Sequence, residues 1–171
     1  NRAYQGPDGR WEDALWVVSL SDGTERQLTK PGGYAKWSPD GKLVAFRMNA
    51  GEEKEKKSQV WFMYADGGEP WQITKHKPGV RSFEFSPDGK TLLLAGIEPE
   101  SADAEKRTKD KDDAEIVDHD FKMAQLWTWD IATNQEKQIT KGDFTVSDPR
   151  WSPDGARITF TSNPTPRQDD S

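Results

Sequence analysis

The pentapeptide Trp37-Ser38-Pro39-Asp40-Gly41 returns as Phe85-Ser86-Pro87-Asp88-Gly89 and again as Trp151-Ser152-Pro153-Asp154-Gly155, and this recurrence limits what the chain can fold into. Each copy is followed by a short apolar run: Leu43-Val44-Ala45-Phe46, Leu92-Leu93-Leu94-Ala95 or Ile158-Thr159-Phe160. Each is also preceded by the same prelude, in which a tryptophan stands 13 residues before a threonine. The preludes are Leu15-Trp16 to Leu28-Thr29, Val60-Trp61 to Ile73-Thr74 and Leu126-Trp127 to Ile139-Thr140. Proline presets φ for the second position of a type I turn, and serine and aspartate hydrogen-bond nearby backbone. Glycine then takes the positive φ that closes a three-residue hairpin loop with a bulge. Each copy therefore reads as strand, tight turn, strand, with no catalytic task for its aspartate.

Repeats of this length, rich in strand and turn residues, indicate a propeller or a solenoid. The hydrophobic fraction is only 32%, yet there are eight Trp, seven Phe and three Tyr, a balance suited to aromatic packing on pleated surfaces. Twelve short strands are expected between Leu15 and Ser162, as four-stranded antiparallel sheets. The class is all-β, a partial β-propeller of about three blade-equivalents: two full blades, Tyr34 to Thr74 and Val80 to Thr140, and a half-blade at each end. Residues 1–14 read as the tail of a loop, 15–163 as the propeller with an insertion at 97–124, and 164–171 as the start of the next loop. Propellers need about four to eight blades to close. Three leave open edges, so the chain reads either as a fragment of a longer protein or as half of a homodimeric six-bladed ring, each C-terminal hairpin completing the partner's N-terminal half-blade.

The spacing also shows which connection tolerates insertion. Phe46 to Trp61 spans 15 residues, whereas the equivalent Leu94 to Trp127 spans 33. In an antiparallel four-stranded blade this variable connection shares a rim with Lys30 to Gly33, Lys75 to Gly79 and Lys141 to Phe144. The Ser-Pro-Asp-Gly turns occupy the other rim. Freely varying surface loops often carry function. The net charge of −6 resides here, because Glu98 to Asp120 holds ten acidic and four basic residues. With the rest of the chain neutral, there is no basic face for nucleic acid. No apolar run approaches the ~20 residues of a membrane helix. With no cysteine, disulfides and thiolate metal sites are excluded.

Trp37-Ser38-Pro39-Asp40-Gly41 and its copies, with their Leu-Thr or Ile-Thr preludes, resemble the WD-like repeats of TolB-type β-propellers over almost the whole chain. From Asp112-Asp113-Ala114-Glu115-Ile116-Val117-Asp118 through Ile139-Thr140-Lys141-Gly142-Asp143-Phe144 to Trp151-Ser152-Pro153-Asp154-Gly155, the chain is similar to the N-terminal propeller of prolyl oligopeptidase-family serine peptidases, of the acylaminoacyl-peptidase or dipeptidyl-peptidase type. The resemblance implies a non-catalytic propeller that gates and selects peptide substrates for an α/β-hydrolase domain. It also makes a bacterial periplasmic or secreted location the favoured expectation over a cytoplasmic one. The alternative is a TolB-like module for protein–protein interaction. No Gly-x-Ser-x-Gly elbow occurs, and His76 and His119 are the only histidines, so a hydrolytic triad has no support within this chain.

Asp112, Asp113, Glu115, Asp118, His119 and Asp120 are the candidate site for a substrate or partner. By analogy with dipeptidyl peptidases, these carboxylates would capture a peptide's positive N-terminus. Calcium is another reading for Asp110, Asp112, Asp113, Glu115, Asp118 and Asp120, since it favours several oxygen ligands, but the spacing misses the EF-hand pattern. A solvated loop packing on a neighbouring domain is the plain reading. No cofactor and no resident metal is expected. His76, in a Lys-His-Lys turn, is expected to face solvent. Trp16, Trp61 and Trp127 are expected to pack between blades. Lys36, Glu84 and Arg150, each one residue before the motif's aromatic, are expected either to pair across neighbouring strands or to line a central channel.

Overall fold

The computed structural model describes residues 3–5, 11–52, 56–98 and 123–164. Among the described residues the elements are all strands: β1 (Ala3–Gln5), β2 (Trp11–Asp13), β3 (Leu15–Val18), β4 (Glu25–Thr29), β5 (Gly33–Trp37), β6 (Leu43–Ala50), β7 (Lys57–Tyr64), β8 (Trp71–Gln72), β9 (Val80–Phe85), β10 (Thr91–Ile97), β11 (Ala124–Asp130), β12 (Gln135–Gln138), β13 (Phe144–Trp151) and β14 (Ile158–Pro164). Two complete four-stranded antiparallel sheets run β5-β6-β7-β8 and β9-β10-β11-β12. The pairs β3-β4 and β13-β14 stand at either end. All twelve expected strands are present, each bound within two residues of its anticipated place.

Residues 1–14, expected as loop tail, contain two paired strands. A single residue, Ala14, separates β2 from β3, too few for a reversal, so residues 11–18 run on as one kinked strand. Aligning Trp16 with Trp61 puts the Ala3↔Asp13 and Tyr4↔Glu12 pairs at the places of Asn49↔Ser58 and Ala50↔Lys57. The same alignment carries Trp16↔Gln27 onto Trp61↔Gln72. β1 is thus the tail end of a second blade strand, and Gly6-Pro7-Asp8-Gly9 lies outside the described residues. The N-terminal module has that tail plus the third and fourth strands. The C-terminal module has the first and second.

Successive sheets lie side by side, β7 against β9 and β11 against β13, while the first strands β5, β9 and β13 neighbour one another. β10 shows how period-two alternation supports this. Its Leu92 and Leu94 enter a core with Phe62, Phe83, Phe85, Trp127 and Trp129 between the two complete sheets. Leu93 and Ala95 enter a second core with Leu126 and Val146, shared with the β13-β14 hairpin. Burial on both faces explains why the run Leu92-Leu93-Leu94-Ala95 is continuously apolar.

The Leu/Ile-Thr pair has a physical cause that residue type alone does not reveal. Thr74 Oγ1 accepts the Val60 amide at 2.9 Å and donates to Gln59 Oε1 at 2.8 Å. Thr140 Oγ1 does the same with the Leu126 amide (2.9 Å) and Gln125 Oε1 (2.7 Å). Each glutamine then clasps the following connection: Gln59 bonds His76 N and O, and Gln125 Nε2 donates to the carbonyls of Gly142 and Phe144. The first module has Ala14 at the glutamine position, and there, among the described residues, Thr29 Oγ1 reaches only Pro31 O at 3.5 Å.

His76, expected to face solvent, is 1% exposed. Its side chain crosses from the connection after β8 into the next sheet. The imidazole packs on Trp127 with centroids 4.6 Å apart, and Nδ1 lies 2.6 Å from Glu136 Oε1 on β12. A Cβ at Gly96 would stand 2.7 Å from Nε2, so this glycine on β10 makes room for the ring. The flanking Lys75 and Lys77 remain exposed, which is why the local sequence suggested a solvated turn.

Candidate partner interface on the turn-bearing rim

The three Ser-Pro-Asp-Gly turns share one geometry. The serine hydroxyl donates to the aspartate Oδ1 at 2.6, 2.6 and 2.5 Å, in chain order. Each Oδ1 also accepts an amide two residues on, from Lys42, Lys90 or Ala156, at 3.0–3.1 Å. The serine oxygen accepts the amide five residues on, from Leu43, Thr91 or Arg157, at 2.9–3.0 Å. The glycines Gly41, Gly89 and Gly155 have φ of 70°, 71° and 71°, the left-handed region that disfavours a side chain. The serine hydroxyls first, and then the backbone amides, hold the carboxyls of Asp40, Asp88 and Asp154 below the usual range. These aspartates are occupied by the turns they build.

Successive turns also seat on one another. A Cβ at Gly89 would meet Pro39 Cδ at 3.4 Å, and one at Gly155 would meet Pro87 Cδ at 3.6 Å. The proline of each turn therefore lies over the glycine of the next. A Cβ at Gly41 would meet no described atom beyond its chain neighbours within 4 Å. Burial follows the same direction. Phe85 is 8% exposed, whereas Trp37, at the same position in the first turn, is 53% exposed.

Where the turns converge, Lys36, Trp37, Glu84 and Trp151 line a hollow of about 280 Å³ between the first strands. Lys36 and Glu84 line it rather than pair, and among the described residues no ion pair joins them to each other or to Arg150. Lys36 Nζ instead lies 5.8 Å from the Tyr34 ring centroid, and Arg150 Nη1 donates to Pro149 O. Buried Glu84 Oε2 and Trp151 Nε1 have no hydrogen-bond partner among the described residues. The pairing expected of these residues is therefore not formed among the described residues. Lys36 and Arg150 thus find a ring and a backbone carbonyl within their own modules.

Of the three equivalent tryptophans, Trp127 lies in the core between sheets. Trp61 is half-buried and donates from Nε1 to Met48 O at 3.2 Å, and Trp16 is 40% exposed. The opposite rim holds a larger hollow of about 610 Å³, with Asp13, Gly33, Arg47 and Lys56 in its lining. Arg47 leaves its own sheet to donate to the carbonyl of Arg81 on β9, with its guanidinium 4.8 Å from the Tyr34 ring centroid. Asp112, Asp113, Glu115, Asp118, His119 and Asp120 lie outside the described residues. Among the described residues, no group of three or more histidines and carboxylates is placed to hold a metal, and no helix is long and apolar enough to cross a membrane.

No family model matches the chain. It is 28% identical over 178 residues to the uncharacterized peptidase YuxL of Bacillus subtilis, covering 92% of this chain and 26% of that protein, so it spans about a quarter of this curated relative. A putative TolB from Agrobacterium tumefaciens superposes with a TM-score of 0.62 at 21% identity, over 98% of this chain and 51% of the other. The β-propeller domain of the Trilobed protease from Pyrococcus furiosus gives 0.56 at 22% identity, over 87% and 40%. The acylaminoacyl peptidase of Pyrococcus horikoshii gives 0.57 at 20%, over 84% and 25%. With its antiparallel sheets ranged side by side and its turns seated in series, the chain has the fold of a partial β-propeller, similar to that of TolB and of the propellers of these peptidases.

Proposed function

We propose that the chain is the non-catalytic propeller part of a serine peptidase of the prolyl oligopeptidase family, screening peptides for an α/β-hydrolase domain elsewhere in the protein. The observation that carries this reading is the match along 92% of the chain to a protein named as a peptidase. Fold likeness to two peptidase propellers agrees with it. In this reading the chain's own residues bind and sort, and covalent chemistry belongs to the other domain. The segment bearing Asp112, Asp113, Glu115, Asp118, His119 and Asp120 would favour peptides with a free, positively charged N-terminus by charge complementarity. A bacterial periplasmic or secreted location fits the TolB-like repeats.

The test is hydrolysis by the full-length protein of paired short peptides, free or acetylated at the N-terminus, beside a folded protein substrate. Replacing the six acidic-segment residues by neutral isosteres should narrow the preference between free and acetylated peptides while leaving kcat on the acetylated one. Removing the propeller should admit the folded substrate. A preference and a size limit that survive both changes would refute the reading. A second reading, a TolB-like module that binds another protein, is favoured by the superposition over 98% of the chain. It predicts a stoichiometric protein complex and no hydrolase activity in the full-length protein.

A further inference from the structure

The turns on this rim spend only one oxygen of each aspartate. Asp88 Oδ1 accepts the Ser86 hydroxyl and the Lys90 amide, and among the described residues no hydrogen bond reaches its Oδ2. Asp40 Oδ1 is engaged in the same way, and its Oδ2 meets only the Lys42 ammonium at 4.0 Å. Both members of that pair are largely exposed, and such pairs contribute little. The turn hydrogen bonds hold both carboxyls below their usual range, so both are charged at neutral pH. Between the two turns, Leu43, Phe62, Phe85 and Ile131 line a hollow of about 390 Å³ together with Asp40 and Asp88. All of its walls belong to the two complete sheets and their turns. The next junction repeats the arrangement, with Asp88, Asp154 and Trp151 in the lining of a hollow of about 420 Å³.

We propose that the hollow between the first two turns seats an arginine side chain presented by a partner protein. Apolar walls joined to two carboxylates call for an occupant with an apolar stem and a cationic head, which is the build of a long basic side chain. Arginine suits the seat better than lysine. Its guanidinium carries five N–H donors in a fixed fork, so it can meet carboxylates from two turns at once, and it sheds water more readily than an ammonium. Charge-assisted bonds to carboxylate oxygens are also the stronger kind. The volume lies within the range of pockets that enclose small ligands. The seat stands apart from the peptidase reading, because it lies on the turn-bearing rim, at the opposite end of β10 and β11 from the connection between them.

The experiment titrates the full-length protein with the peptide Arg-Gly-Arg-Gly-Arg, acetylated and amidated, and with its citrulline and lysine counterparts. Blocked ends keep capture of a free N-terminus out of the result. Calorimetry reads affinity, and the Ile131 methyl resonance reads location. The arginine peptide should shift that methyl and bind less tightly as salt is raised. The citrulline peptide, of like shape without the charge, should bind about tenfold more weakly or worse. Asp40→Asn combined with Asp88→Asn keeps Oδ1 as the turn's acceptor and removes the charge from Oδ2. It should cost the arginine peptide a similar factor with an unchanged β-sheet circular-dichroism signal. Ile131→Trp, which fills the hollow and leaves both carboxylates in place, should weaken binding as well. Equal affinity for the arginine and citrulline peptides, an unmoved Ile131 methyl, or full affinity in the asparagine variant overturns the proposal. A lysine peptide that binds as tightly as the arginine one overturns the choice of arginine.

Discussion

Replacing Thr74 by valine tests what holds each strand pair to the connection that follows it. The substitution keeps the shape and removes one hydroxyl that is fully buried. Val60 N–H loses its acceptor, and Gln59 Oε1 keeps only the His76 amide at 3.0 Å. An unsatisfied buried amide costs ~1–3 kcal/mol and the second lost bond ~1 kcal/mol. The added buried methyl returns ~0.8 kcal/mol. The expected net loss is about 2 kcal/mol. Thr29→Val is the internal control, because Thr29 Oγ1 has only a contact at 3.5 Å and the neighbouring clasp position is Ala14. Its expected cost is under ~0.5 kcal/mol. Urea unfolding followed by tryptophan fluorescence reads the difference. With a slope of ~2 kcal/mol/M, Thr74→Val moves the midpoint down by ~1 M and Thr29→Val by under ~0.3 M. Equal shifts for the two would refute the claim that the threonine–glutamine clasp, rather than threonine's strand preference, underlies the motif.

Two further outcomes follow from the geometry. Asp40, Asp88 and Asp154 have folded values below the ordinary 3.8, held there chiefly by the serine hydroxyls, so their contribution is complete above that value and is lost as pH falls through the lowered ones. The melting temperature should therefore drop in acid below about pH 4, and the Asp40→Asn/Asp88→Asn/Asp154→Asn chain should show a shallower acid limb; an identical limb would remove the turns from the cause. Gly96→Ala places a methyl 2.7 Å from His76 Nε2 and 2.9 Å from Gly79 O. Overpacking of ~2 kcal/mol should lower the melting point by ~4–8 °C and shift the His76 ring resonances in NMR, whereas unchanged resonances would refute the close fit.

The turns were legible because their cause is local: proline, aspartate and left-handed glycine act within five residues. The strands were legible because β10 and its equivalents are apolar runs bounded by those turns. The inward path of His76 was hidden, since its sequence neighbours are two lysines and the space it fills is made by Gly96, twenty residues on. The clasp was half visible. Thr74 and Thr140 stand out as repeats, but Gln59 and Gln125 acquire meaning only when pairing brings residues 15 apart together. Lys36, Glu84 and Arg150 were correctly grouped by position. Their expected pairing failed because Lys36 turns to Tyr34 and Arg150 to its own backbone.

The one-way stacking of proline on glycine has an evolutionary corollary. A gene duplication or deletion that adds or removes a whole repeat creates a junction chemically identical to those already present. Lineages built on this motif can change the number of repeats without inventing a new contact, while length variation accumulates on the opposite side, where no such register must be kept.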